Sequence, residues 1–194
     1  MVEVKRMPKG FWFCPNCNCY KAPEEITHEE TCQDCNWGVE WREEPLWIVA
    51  FDPGKTIGYA VFCNTELFRL GHLQSIEELV RELYRQIGTP NLRVVYEGFA
   101  RGNTAVKDQL QTIEICGAIQ AIALACEFPV KSQYPSMRTG YIPIAKAMIQ
   151  EKGFTLSEMK HAVDAIAHGL AYMDKEGLGW QKQDWIRKAL PRED

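Results

Sequence analysis

No apolar stretch of this 194-residue chain approaches the roughly 20 residues needed to span a bilayer. The opening MVEVKRMPKGFWFCPNC has no long apolar segment and no small-residue cleavage site. Both absences lead to the expectation of a cytoplasmic protein with no membrane partner. Repeats and low-complexity tracts are missing too, which sets aside solenoids and disordered linkers. Basic residues are outnumbered, 22 Lys and Arg against 26 Asp and Glu. That balance counts mildly against nucleic acid as a partner, but the excess is local. Residues 1–46 hold five basic and nine acidic side chains, and the remainder carries 17 of each. A neutral core domain whose acids hold cations is compatible with DNA.

Cysteine, by contrast, is plentiful, with eight in the chain. Five of them fall at Cys14, Cys17, Cys19, Cys32 and Cys35. Two Cys-x-x-Cys pairs, Cys14/Cys17 and Cys32/Cys35, each offer two thiolates from one turn, the spacing of a tetrahedral structural Zn²⁺ site. Cys19 reads as a spare thiol beside that site, although it or His28 could replace one ligand. The composition shifts at Glu43-Glu44-Pro45, so residues 1–45 are expected to form a zinc-ribbon-like module and residues 46–194 a separate domain.

The second domain begins with three apolar runs that read as strands, 47–52, 57–63 and 66–73, close enough in sequence to pair antiparallel. A capped helix (Ser75 to Gln86), strand 92–96, a long apolar helix (104–126) and strand 129–133 follow. Loop 134–143 and helices near 144–151 and 157–175 complete the pattern. Three strands in series, then alternating helix and strand, predict an α/β fold with a mixed five-stranded sheet flanked by helices.

Two of these runs end in acids, Asp52 after WIVAF and Glu97 after LRVVY. An ionised carboxylate beside a buried strand needs a partner. His161 and Asp164, three apart in a helical stretch, project from one face. Ala162, Ala165, Ala167 and Ala171 would let that helix lie close to the sheet. Four such groups can converge on divalent metal, as phosphodiester cleavage requires. The Gly54-Lys55-Thr56 tripeptide is not a P-loop, because the first glycine position of that motif is Val49. About 150 residues are also too few for the two lobes of an actin-like ATPase. No small-molecule cofactor beyond metal ions is therefore expected. Glu114, His72, His168 and Asp174 read as ordinary surface or boundary residues, and Cys63, Cys116 and Cys126 as packed core thiols.

Taken together, residues 47–172 resemble the RuvC family of Holliday-junction resolvases in the RNase H-like superfamily. The resemblance rests on Asp52-Pro-Gly54 with Gly58, on Val94-Val95-Tyr96-Glu97, and on His161-Ala-Val-Asp164-Ala-Ile-Ala167. Pro135-Ser-Met-Arg138, Gly140 and Lys146 approximate a further family segment, and Phe99 matches an aromatic after the catalytic Glu. The cysteine-rich leader departs from the bacterial housekeeping enzymes and looks more like a phage or mobile-element relative. The resemblance implies a crossover-junction endodeoxyribonuclease holding two Mg²⁺ or Mn²⁺ ions on Asp52, Glu97 and Asp164, with His161 as a fourth ligand or a water-positioning group. It also implies DNA contacts from Phe99, Arg138 and Lys146. Paired nicks across a four-way junction imply a homodimer, with Ile113, Ile119 and Leu124 of the long helix as its surface. Two competing readings are another RNase H-like nuclease acting on flaps or hybrids, and a non-catalytic zinc-ribbon recruitment protein.

Overall fold

The structure, a computed structural model, describes residues 10–14, 19–21, 27, 31–36, 38, 40–43, 45–89, 91–98, 106–180 and 182–189. The chain folds as two compact units, Met1–Pro45 and Leu46–Asp194.

In the first unit, β1 (Gly10–Cys14) lies between β2 (Cys19–Lys21) and β3 (Glu40–Glu43) in an antiparallel sheet ordered β2-β1-β3. Cys14 and Cys19 are register partners across the first hairpin. A tight turn follows Cys32, with the Asn36 N–H donating to the Cys32 carbonyl at 2.8 Å and Asn36 at φ 55°. The Cys32 side chain is buried and that of Cys35 half-buried. Cys17 and His28 lie outside the described residues.

The second unit is built on five strands in the order β6-β5-β4-β7-β8. The runs β4 (Trp47–Asp52), β5 (Ile57–Cys63) and β6 (Glu66–Leu73) form an antiparallel meander, joined by turns too short for a crossover. Two further strands, β7 (Leu92–Glu97) and β8 (Val130–Gln133), extend the sheet in parallel on the other side of β4. Their crossovers are helical: α1 (Ile76–Tyr84) and then α2 (Val106–Ala125). Ser75 caps α1 by accepting from the Glu78 N–H at 3.2 Å, and Glu78 reaches back to the Gln74 N–H at 2.6 Å. A 3-10 segment (Pro135–Tyr141), α3 (Ile142–Glu151), α4 (Lys160–Lys175) and α5 (Lys182–Ala189) close the chain. The 3-10 segment replaces the loop expected at 134–143, since Pro135 supplies the fixed φ that starts a helical turn. Among the described residues no helix is long and apolar enough to cross a membrane.

Strand side chains alternate between two cores. Val49, Phe51, Val94 and Tyr96 pack with Leu79, Leu83, Ile115 and Ile119 of α1 and α2. Ile48, Ala50, Ala60, Phe62 and Val95 pack with Ala162, Ala165, Ile166 and Leu170 of α4. Covered on both sides, the central strands are apolar throughout rather than alternating. Ile119 is buried in the first of these cores, which corrects its expected place on a dimer surface. Ile113 and Leu124 are exposed, as is Leu110. An α-helix that is apolar nearly all round does not reveal which stripe meets the sheet.

Close approach of α4 to the sheet depends on two glycines. A Cβ at Gly58 would lie 1.8 Å from the His161 carbonyl oxygen, and one at Gly169 would lie 2.3 Å from the Phe62 ring. Replacing Gly58 with Ala must lift the start of α4 off β5. We expect a loss of about 2–3 kcal/mol in urea unfolding, the upper range for overpacking. An unchanged midpoint would mean that α4 does not seat on Gly58.

Candidate active site

Period-two geometry decides where the strand-end acids point. Residues 48 and 50 of β4 face α4, and so does residue 52; on β7 the same parity carries Val95 and Glu97. Since Phe51 is the register partner of Tyr96, Asp52 and Glu97 end adjacent parallel strands on one face. Asp164, one turn into α4, meets them from above. Arg138, in the 3-10 segment, ties two of the three together. It donates through a terminal guanidinium nitrogen to Glu97 Oε2 and forms an ion pair with Asp164, its Nε standing 3.0 Å from Oδ1.

The electrostatics show how tightly the acids are gathered. The Asp52 carboxyl is pushed up from 3.8 to about 7, first by burial and then by the charges of Glu97 and Asp164. Arg138 counteracts in part. Burial and like charge both disfavour the ionised form of Asp52. Among the described residues, no three His, Cys, Asp or Glu side chains stand at ion-binding spacing as they lie. The Arg138 guanidinium stands instead between Glu97 and Asp164.

The structure thus brings together Asp52, Glu97 and Asp164. His161 lies in the first turn of α4, half-buried; its carbonyl rests over Gly58, the cross-strand partner of Asp52, and its ring makes no hydrogen bond among the described residues. Lys146 is exposed on α3 without an ion pair among the described residues, and Phe99 lies outside them. Arg138, expected as a DNA contact, is held by carboxylates, because the 3-10 segment turns its side chain toward the sheet ends. One residue set aside in the sequence belongs here. His168, read as surface or boundary, is fully buried and donates from Nε2 to Glu97 Oε2 at 2.8 Å. Its spacing of four from Asp164, which puts the two on one helical face, was the signal.

No protein-family model and no curated protein matches this chain. Among solved structures, Thermus thermophilus RuvC in complex with a Holliday junction substrate superposes with a TM-score of 0.53 at 14% identity, covering 69% of this chain and 97% of that one. This chain has the RuvC fold. A second Thermus thermophilus RuvC structure matches with a TM-score of 0.44 at 17% identity, over 69% of this chain and 98% of that chain. In the RuvC fold as this sequence builds it, the three acids crowd one end of the sheet, where β4 and β7 finish and α4 begins.

Proposed function

We propose that this protein is a divalent-metal-dependent endodeoxyribonuclease that resolves four-way DNA junctions by paired nicks. The observation that carries the reading is the convergence of Asp52, Glu97 and Asp164 from three separate elements of a RuvC fold. The junction in the complex of Thermus thermophilus RuvC supports branched DNA as the substrate class.

Oxygen donors suit hard Mg²⁺ or Mn²⁺. Repulsion among the acids, registered in the raised Asp52, is what a dication would relieve. Asp52, Glu97 and Asp164 would hold the two ions, with His161 as a fourth ligand. When bound, such ions activate water and neutralise charge on a phosphodiester, giving 5′-phosphate and 3′-hydroxyl ends. The residues of the chain itself fix the donors. Glu97 and Asp52 are set by strand register, Asp164 by the close seating of α4, and Arg138 offsets part of the negative charge. Lys146 would meet backbone phosphate, as would Arg138 on exchanging its carboxylates for phosphate, and Phe99 would stack on an unpaired base. Symmetric nicks need two copies of the site, and exposed Leu110, Ile113 and Leu124 offer an apolar face for a homodimer.

The deciding experiment incubates the full chain with Mg²⁺ or Mn²⁺ and end-labelled four-way junctions, Y-forks and RNA–DNA hybrids. Paired, symmetric nicks in the junction alone support resolution. Preference for forks or hybrids would favour another RNase H-like nuclease, and no cleavage of any substrate a recruitment protein.

The first unit is proposed to hold a structural Zn²⁺ on Cys14, Cys17, Cys32 and Cys35. The hairpin at Cys14 and the tight turn at Cys32 suit two knuckles. We expect about one zinc per chain in anaerobically purified protein, lost in Cys35→Ser. Metal-free protein of unchanged fold would remove the ion from the account.

A further inference from the structure

His168 and Gln133 have no part in the reading above, yet both are buried and polar, at 0% and 4% exposure. Gln133 is the register partner of Glu97 on the neighbouring strand β8. The two side chains and Glu97 form one connected chain. The Gln133 amide is oriented by its own contacts. The amide atom that faces the Tyr172 N–H at 3.2 Å is assigned as the oxygen and the one that faces the His168 carbonyl at 3.2 Å as the NH₂, which then donates to His168 Nδ1 at 2.7 Å. An amide NH₂ can only donate, so Nδ1 is an acceptor and carries no proton. The proton of the neutral ring therefore sits on Nε2, 2.8 Å from Glu97 Oε2.

A core histidine that served packing alone would need a partner for each nitrogen, but any partner would do. Here the sheet-facing stripe of α4 is otherwise Ala162, Ala165, Ile166, Gly169, Leu170 and Met173, for which an apolar side chain at 168 would be the cheaper filler. What the imidazole adds is a fixed N–H aimed at a carboxylate. His168 and Arg138 both donate to Oε2 of Glu97. Among the described residues Oε1 accepts no hydrogen bond.

We propose that Gln133 and His168 are positioning residues for Glu97. The amide of Gln133 locks the imidazole as the Nε2–H tautomer, and that N–H anchors Oε2 and sets the carboxylate plane. Oε1 is left as the oxygen offered to a cation. The inference deepens the cation-ligand reading of Glu97 and rests on it. Relays of this kind behind a ligand change metal affinity about 10–100-fold when cut.

The test uses the full chain, ¹⁵N-histidine NMR and calorimetric titration with Mn²⁺, together with thermal unfolding. Wild-type protein is expected to show His168 protonated at Nε2 and bare at Nδ1, a pattern that Gln133→Leu abolishes. His168→Leu should weaken Mn²⁺ binding by about 10-fold or more. His168→Gln, which keeps an N–H near the Nε2 position, should recover most of that loss. If His168→Leu does not fold, Gln133→Leu carries the test, with weaker Mn²⁺ binding expected while His168 stays in place. An Nδ1–H tautomer in the wild type would overturn the proposal. So would unchanged Mn²⁺ affinity in the Leu variants, or equal losses in His168→Leu and His168→Gln. Failure of the parent reading looks different. A wild type that binds Mn²⁺ in a His168-dependent way but nicks no junction leaves this relay standing and removes the nuclease, whereas a wild type that binds no Mn²⁺ removes both.

Discussion

Asp52→Asn, Glu97→Gln and Asp164→Asn are each expected to reduce junction cleavage at least ~10²-fold, the scale on which one electrostatic catalytic group acts. Each substitution keeps the shape of the side chain and removes one negative charge from a site where Asp52 already feels the other two. Junction binding should persist or tighten, because phosphates then meet less repulsion. That split between binding and cleavage separates a lost ligand from a lost fold. His161 should behave differently, since a neutral ligand contributes less charge. His161→Ala should be impaired, whereas His161→Asp should stay active with preference moved from Mn²⁺ toward Mg²⁺. Near-wild-type nicking by Asp52→Asn, free of contaminating nuclease, would end the two-metal reading.

The second large effect is on stability and needs no DNA. Asp52 is pushed up from 3.8 to about 7 in the folded protein. For an acid, a raised folded value means that folding disfavours the charged form. The cost is absent below about pH 4, grows as pH climbs from 4 to 7, and is complete above that. A shift of this size corresponds to something on the order of 2–4 kcal/mol. Metal-free Asp52→Asn should therefore unfold at markedly higher urea than wild type at pH 8, and the two curves should meet near pH 4. Added Mn²⁺ should raise the wild-type midpoint and close much of the gap. A wild type as stable as Asp52→Asn at pH 8 in chelator would show that the acids are not crowded.

The acids at 52 and 97 were legible because each ends a run of residues buried on both sides, where a charge needs a reason. That they share one face became visible only with the register, in which Phe51 pairs with Tyr96. The fold class was legible for a similar reason: two short connections force a three-stranded meander, and two helical crossovers force parallel strands. What escaped was whatever depends on how α4 meets the sheet. In the sequence Gly58 figured only as part of a motif with Asp52 and Gly54, although its missing side chain makes room for a helix carbonyl more than a hundred residues on. His168 read as unremarkable because a histidine in an Ala-rich helix does not announce its partner across the sheet. The pairing of Arg138 with Glu97 and Asp164 was not legible either, because a guanidinium suits phosphate and carboxylate alike and the sequence does not show where the 3-10 segment turns it. Helix α5 went unforeseen. Its charged and apolar residues cling to the core partly through Trp185 and Ile186, and Lys182 is paired with Asp174 at 2.7 Å.

The three carboxylates come from positions 52, 97 and 164: Asp52 and Glu97 meet only once β4 and β7 have paired in parallel, and Asp164 joins them only when α4 has closed over Gly58. Loop closures of that length are slow relative to local helices and hairpins. A chain still emerging or partly refolded can therefore hold its meander intact while having no assembled acid cluster. On the proposed nuclease reading, competence to cut DNA would arise as a late step of folding, and an immature or locally opened molecule would cut little.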